Sequence, residues 1–117
     1  DGRVFFAAGV WMNEGVYVCA VDARTGTLLW RNAQASSVPY GLKDHGGNWI
    51  GGLSPQGYLA LIDAKLMVPG GRALPGTFDP KTGAMEPYTT GWGGRYGLAK
   101  GSWWVCGNGK YFFHSGD

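Results

Sequence analysis

The stretch that decides the fold is AVDARTGTLLW, residues 20–30. A weaker copy, TFDPKTGAMEP, occupies residues 77–87, so the aspartates of the two copies, Asp22 and Asp79, lie 57 positions apart. In each copy a Thr-Gly pair follows the aspartate after two residues, and apolar residues flank the motif. Self-similarity at a fixed spacing is typical of repeat architectures, in which each unit buries its faces against its neighbours. The two copies therefore predict a chain built from repeated structural units.

The composition favours short strands joined by tight turns. Glycine accounts for 22 of the 117 residues, and charged residues make up only 15% of the chain. Disordered chains are poor in apolar residues, whereas 44% of this chain is hydrophobic and 15% is aromatic. No run with helical periodicity stands out, so an all-β chain of antiparallel strands is expected.

Apolar runs between glycine-rich turns predict the order of the strands. Three strands come before a long irregular segment over residues 32–53, and a unit of four strands follows within residues 54–88. A glycine-rich loop over residues 89–100 separates this unit from a last hairpin around Asn108-Gly109, the strongest hairpin signal in the chain. The expected strands are 3–8, 16–22, 27–31, 55–62, 65–70, 74–79, 84–88, 102–106 and 110–114.

The Asp-x-x-Thr-Gly segment has a physical reason to form a turn. The carboxylate of Asp22 can accept hydrogen bonds from backbone N–H groups across the bend, and Gly26 can adopt the positive φ that closes it. Asp79 and Gly83 are expected to act in the same way in the second copy. We therefore expect turn formation, rather than chemistry on a substrate, from these residues.

The pattern Ala-x-Asp-x-x-Thr-Gly-x-x-x-Trp over residues 20–30 resembles the tryptophan-docking repeat of PQQ-like (pyrroloquinoline-quinone-type) β-propellers. Every consensus position is present except a lysine that often follows the glycine, where this chain has Thr27. Residues 54–83 are also similar to PQQ-like repeat proteins of bacteria. In the second copy, Pro87 stands where the tryptophan is expected. The resemblance covers nearly the whole chain, and the family includes quinoprotein dehydrogenases as well as non-enzymatic outer-membrane assembly scaffolds.

The resemblance implies antiparallel four-stranded blades of a β-propeller, with about two blades present as an open fragment of a larger ring. Residues 1–31 would form an incomplete blade, 54–88 a complete blade, and 101–117 the first half of the next. Trp30 would stack on a turn of an adjacent blade, so the remaining blades of the same propeller are the implied partners. The implied blade-docking residues are Ala20, Asp22, Thr25, Gly26, Trp30, Asp79, Thr82 and Gly83.

Two functions remain open within this resemblance. The first is a binding or scaffold module that contacts a protein or a small molecule, with no catalytic residue and no metal ligand in this segment. The second is part of a quinoprotein oxidoreductase acting on alcohols or sugars, which would hold PQQ and Ca²⁺ at the ring centre of the complete protein. The chain lacks the vicinal Cys-Cys pair of those enzymes, which favours the scaffold. Both functions imply an exported or periplasmic bacterial protein.

The remaining features narrow the choice of partners. The formal net charge of +2 is small and dispersed, which disfavours a nucleic-acid surface. The longest apolar run, residues 16–21, is too short for a membrane span.

Cys19 and Cys106 are expected to be buried, unpaired thiols, because they belong to different units. Trp49 and Trp92 are the aromatic residues best placed to stack on a sugar or a quinone, although packing is the role we favour for them.

Overall fold

Two antiparallel three-stranded sheets and two antiparallel hairpins make up the described part of the protein. The computed structural model describes residues 2–9, 15–35, 39–44, 47–50, 53–70, 73–87, 104–109 and 112–114. No helix occurs in these ranges, which confirms the expected all-β class. The strands are β1 (Arg3–Ala8), β2 (Tyr17–Asp22), β3 (Leu28–Asn32), β4 (Pro39–Asp44), β5 (Gly47–Ile50), β6 (Ala60–Ile62), β7 (Lys65–Gly70), β8 (Ala73–Phe78), β9 (Val105–Gly107) and β10 (Phe112–His114).

The first sheet has the strand order β1-β2-β3, with antiparallel neighbours. Along β1 the exposure alternates, with Phe5 partly buried and Val4 and Phe6 exposed, because successive residues of a strand point to opposite faces. In β2, Val18 and Ala20 are fully buried. The sheet therefore has one face packed inward, whereas Val4 and Phe6 on the other face are exposed.

The second sheet has the strand order β6-β7-β8, and its ladders are also antiparallel. Every residue of β7 from Leu66 to Gly70 is buried, as is typical of a strand covered on both faces. An isolated parallel bridge joins Gln56 to Gly70. The hairpin between β6 and β7 turns on Asp63 and Ala64, which both have positive φ, 48° and 57°.

The hydrophobic core joins the inward face of the first sheet to one face of the second. Phe5, Trp30, Leu59 and Met85 pack at its edges as partly buried side chains. Strand β9 in turn contacts β6 and β7, and its Val105 is buried. The second sheet is thus contacted both by the first sheet and by β9. The buried members of the core cluster are Val18, Ala35, Leu53, Leu66, Val68 and Phe78.

Two parts of the expected strand order are wrong. Residues 32–53 are not irregular throughout, because β4 and β5 form an antiparallel hairpin inside this segment. Glycines recur through this segment and are typical of irregular loops as well as of hairpins, so they did not indicate the hairpin. The strand expected over residues 55–62 is shorter, since only Ala60–Ile62 belongs to β6. The glycine-rich loop expected over residues 89–100 lies outside the described residues.

The fourth strand expected over residues 84–88 is present only in part. Within the described residues 84–87, a single antiparallel bridge joins Met85 to Phe78. The hydrogen bonds on either side of this bridge leave Pro87 at a non-hydrogen-bonded position, facing away from β8, so its missing N–H removes no donor from this ladder.

Both cysteines are free thiols, as expected. Cys19 is buried, and burial raises the pKa of its thiol. The expectation that Cys106 is also buried is wrong, because it is exposed next to the hairpin turn. In the described part of the chain, no helix has the length and hydropathy that crossing a membrane requires.

Candidate functional site

The turn between β2 and β3, residues 22–26, is held by the side chain of its aspartate; we call it the first turn. Asp22 Oδ1 accepts hydrogen bonds from the backbone N–H groups of Arg24 (2.9 Å) and Thr25 (2.8 Å) and from the Thr25 hydroxyl (3.0 Å). The N–H of Gly26 donates to the Asp22 carbonyl at 2.8 Å. Gly26 has a φ of 73°, which glycine adopts without the steric cost that other residues bear.

Residues 79–83, the second turn, repeat this arrangement 57 positions later. Asp79 Oδ1 accepts from the backbone N–H groups of Lys81 (2.6 Å) and Thr82 (3.3 Å). The N–H of Gly83 donates to the Asp79 carbonyl at 2.8 Å, and Gly83 has a φ of 75°. The sequence repeat is therefore also a structural repeat, at the level of individual hydrogen bonds.

Both aspartates are held in their charged form by these bonds. The backbone N–H of Thr25, with its hydroxyl and the N–H of Arg24, lowers the pKa of the Asp22 carboxyl. The backbone N–H of Lys81 is the main cause that lowers the pKa of Asp79. Hydrogen bonds to a carboxylate favour its ionised form, so each turn is stabilised by ionisation of its own aspartate.

Trp30, on β3 of the first sheet, docks on the second turn. Its indole Nε1 donates a hydrogen bond to the carbonyl of Pro80 at 3.0 Å. The guanidinium of Arg3, on β1 at the other edge of the same sheet, also donates to the Pro80 carbonyl, at 3.2 Å. Trp30 also packs against Phe5, with the ring centroids 6.0 Å apart. One carbonyl oxygen therefore receives donors from both edge strands of the first sheet.

The indole lies directly over Gly83. A Cβ atom at position 83 would stand only 2.6 Å from Trp30 Cδ2, which is closer than real Cβ contacts occur. Gly83 is buried, and Trp30 is partly buried. Position 83 therefore requires glycine for two reasons: its φ is positive, and the indole occupies the space that a side chain would need.

Asn32 adds a third polar contact to the same turn. Its side-chain Nδ2 donates to the Gly83 carbonyl at 2.7 Å. Its Oδ1 accepts from the backbone N–H groups of Gln34 (2.9 Å) and Ala35 (3.0 Å). These bonds orient the amide, so that β3 presents Trp30 and Asn32 on one face, two residues apart, to the second turn.

The first turn has the same backbone geometry without such a contact. Gly26 is exposed, and a Cβ atom there would meet none of the described atoms within 4 Å. Ala23, which corresponds to Pro80, is also exposed. Its N–H donates to the Gly2 carbonyl at 2.7 Å, a bond that Pro80 cannot make in the second turn.

The structure brings only part of the predicted docking set together. Trp30 and Gly83 are in contact, and Ala20 is the cross-strand partner of Trp30 in the ladder. Asp22, Thr25 and Gly26 build the first turn, while Asp79 and Thr82 build the second. The sequence analysis missed three contributing residues, namely Arg3, Asn32 and Pro80. Only Asn32 had a usable signal, because a side chain two residues after Trp30 shares its face of the strand.

The described residues offer little else that could do chemistry. No group of three or more metal-ligating side chains occurs among them. Lys65 and Glu86 form an exposed ion pair at 2.7 Å. The side chains of Trp49 and Trp92, the candidates for stacking, lie outside what is described.

No family model, no curated protein and no solved structure matches this chain. The site therefore has to be interpreted from its own contacts.

Proposed function

We propose that this chain is a segment of a PQQ-like repeat β-propeller and acts as a binding or scaffold module, without catalysis of its own. Its units would be four-stranded antiparallel blades, and its partners the remaining blades of the same propeller, together with a protein or small-molecule ligand. The resemblance of residues 20–30 to exported bacterial proteins supports a location in the periplasm or outside the cell.

The observation that carries the proposal is the docking of Trp30 on the second turn. The contact joins a side chain of one unit to the turn that ends β8 in the next unit, 50 residues along the chain. It combines a stacked indole with hydrogen bonds from Arg3 and Asn32. A contact of this type fixes the orientation of successive sheets, which is what a repeat scaffold requires.

The backbone after the second turn supports a fourth strand in each unit. The N–H of Asp79 donates to the Ala84 carbonyl at 2.8 Å, and the N–H of Glu86 donates to the Thr77 carbonyl at 2.9 Å. These bonds run between antiparallel segments on the side of β8 that faces away from β7. In the first unit, β3 holds the corresponding position beside β2.

The chemistry of the turn residues also favours a scaffold. Asp22 and Asp79 have their carboxylates occupied by N–H groups of their own turns. A general base or a metal ligand needs a lone pair directed at a substrate or an ion. Both carboxylates instead direct their bonded oxygen into the turn, which is consistent with a structural role.

Hydrogen exchange of the intact chain tests the scaffold proposal. If Trp30 couples the two units, Trp30→Ala should lower the protection of amides in β2 and in β7 together. Both sheets would then depend on the contact between Trp30 and the second turn. Tyr58→Ala is the matched control, since Tyr58 is an aromatic residue that is 89% exposed, and it should change neither strand. Loss of protection confined to β3 in the Trp30→Ala variant would contradict a coupling role.

Dye reduction separates the scaffold from an oxidoreductase. The chain is mixed with PQQ, Ca²⁺ and an alcohol or sugar, and reduction of an artificial electron acceptor is followed. We expect the rate to equal that of PQQ and Ca²⁺ without protein. A protein-dependent rate that also needs PQQ would replace the scaffold by a quinoprotein oxidoreductase.

A further inference from the structure

Asn108 and Gly109 lie in the loop of the last hairpin, away from the docking contact of Trp30. Of the four asparagines in the chain, only Asn108 precedes a glycine. Both residues of the pair are exposed. The ladder between β9 and β10 ends at the pair formed by Gly107 and Phe112, so the Asn108-Gly109 peptide bond lies beyond the paired strands. The amide side chain of Asn108 is therefore next to an exposed peptide bond outside the ladder.

Gly109 leaves its own backbone nitrogen open to reaction. Its φ is 84°, and a Cβ atom at this position would meet none of the described atoms within 4 Å. Glycine has no side chain to shield the nitrogen, and its backbone dihedral angles are the least restricted of all residues. Rotation within this exposed loop can therefore bring the Gly109 nitrogen to the side-chain carbonyl carbon of Asn108, Cγ.

We propose that the Asn108-Gly109 peptide is a site of spontaneous deamidation. The backbone nitrogen of Gly109 attacks Cγ of Asn108 and closes a cyclic imide, a succinimide. The bond between Cγ and Nδ2 breaks, and ammonia leaves with the proton that the Gly109 nitrogen gives up. Water, the one co-reactant, then opens the ring at either of its carbonyl carbons. The products are aspartate and isoaspartate at position 108.

Asn32 has the opposite environment within the same chain. It belongs to β3 and is partly buried. Its Nδ2, the nitrogen that would leave, donates to the Gly83 carbonyl at 2.7 Å, and its Oδ1 accepts from two backbone N–H groups. Ring closure would break or distort these bonds, and the next residue, Ala33, carries a Cβ beside the attacking nitrogen. We therefore expect Asn32 to keep its amide while Asn108 loses it.

The conversion changes the charge of the hairpin loop. A neutral amide becomes a carboxylate at neutral pH, so the formal net charge of the chain falls from +2 to +1. In isoaspartate the main chain runs through Cβ and Cγ, which lengthens it by one atom. Position 108 directly follows Gly107, the last residue of β9, and this strand contacts the second sheet through β6 and β7. The new charge therefore appears beside a strand that is packed on the second sheet.

Incubation of the intact chain in mildly alkaline buffer tests the proposal, because base assists attack by the backbone nitrogen. Samples are digested at acidic pH, where ring closure is slow, and each asparagine is followed by mass spectrometry. An isoaspartyl methyltransferase identifies the isoaspartate product. We expect both products at position 108, an unchanged Asn32, and earlier elution of the converted chain from a cation exchanger. The absence of conversion at position 108, or equally fast conversion of Asn32, would overturn the proposal.

The short peptide GNGKY, residues 107–111, gives the rate of the same reaction without the fold. We expect the intact chain to convert Asn108 within about tenfold of the rate of this peptide, a difference of about 1.4 kcal/mol in the barrier. A greater slowing in the intact chain would mean that the fold protects Asn108, which contradicts the proposal.

Matched variants identify the reacting groups. Asn108→Gln keeps an amide but would have to close a larger ring, so conversion at this position should vanish. Gly109→Ala adds a Cβ beside the attacking nitrogen and should slow conversion by about tenfold or more. Gly26→Ala is the control, because Gly26 also has a positive φ (73°) with no described atom near its missing Cβ, but follows a threonine. It should leave the rate at Asn108 unchanged, whereas an unchanged rate in Gly109→Ala would disprove the role of the glycine nitrogen.

Discussion

Gly83 and Trp30 are in such close contact that no side chain fits between them: a Cβ atom on Gly83 would lie 2.6 Å from Trp30 Cδ2. Gly26 has almost the same φ as Gly83, 73° against 75°, but an open space beside it. The pair of glycines therefore separates the cost of a positive φ from the cost of losing the docked indole.

We expect Gly26→Ala to lower the free energy of unfolding by about 1 kcal/mol, the usual cost of forcing alanine into a left-handed conformation. Gly83→Ala should cost about 1–3 kcal/mol more, because its methyl group also displaces Trp30. Urea denaturation of the intact chain measures both values. In a Trp30→Ala background the difference between the two glycine variants should vanish, and its persistence would disprove the contact as its cause.

Two substitutions of Trp30 separate packing from hydrogen bonding. Trp30→Phe keeps a ring over Gly83 but loses the N–H donor, and should cost about 1 kcal/mol. Trp30→Ala loses the packing as well and should cost about 3 kcal/mol in total. Both values come from chemical denaturation followed by circular dichroism. If the alanine variant were no less stable than the phenylalanine variant, the indole would not contribute through packing.

Acid should destabilise the protein through its two turn aspartates. Because the pKa of Asp22 and of Asp79 is lowered in the folded state, their contribution is fully present above the unfolded-state pKa of about 3.9 and is lost as the pH falls through the lower folded-state value. We expect the melting temperature to fall between about pH 5 and about pH 2.

The control for this pH dependence is the double variant Asp22→Asn, Asp79→Asn. The asparagine side chain still has an oxygen that accepts the turn N–H bonds, but it does not titrate in this range. Its melting temperature should fall less steeply on acidification than that of the unchanged chain. Identical slopes would mean that other carboxyl groups cause the acid sensitivity.

The two-residue turn between β6 and β7 offers a stabilising change. Ala64 has a φ of 57°, a conformation that costs alanine energy but is free for glycine. Ala64→Gly should therefore raise the free energy of unfolding by about 0.5–1 kcal/mol, the balance of relieved strain and greater freedom of the unfolded chain. Ala84→Gly, at an exposed position without a positive φ, should lower it by a similar amount. A loss of stability in both variants would contradict the strain.

The sequence predicted those elements whose signals are local. The Asp-x-x-Thr-Gly turns, the flanking strands and the strand that carries Trp30 follow from side chains that act within a few residues. The hairpin of β4 and β5 was not predicted, because glycines recur within and around it, and glycines are typical of irregular loops as well as of hairpins. The fourth strand of the second unit was predicted from its place after the turn, and the described residues show one bridge of it, between Met85 and Phe78.

The candidate site was less predictable than the fold. The sequence marked Trp30 as a docking residue, and the resemblance assigned it to a turn of an adjacent unit. The structure selects the second turn. Arg3 could not be recognised, because the carbonyl that it contacts is 77 residues away in the sequence. Long-range pairs of this kind depend on how two sheets stack, which no local pattern encodes.

Because the contacts between the first sheet and the second turn end on the carbonyls of Pro80 and Gly83, they tolerate changes of other side chains in that turn. Every hydrogen bond that Arg3, Trp30 and Asn32 make to the second turn ends on a main-chain oxygen. The exposed side chain of Lys81 takes no part in these bonds. Charge or shape can therefore be changed at that position, to create or abolish a surface for another molecule, while the alignment of the two sheets stays intact.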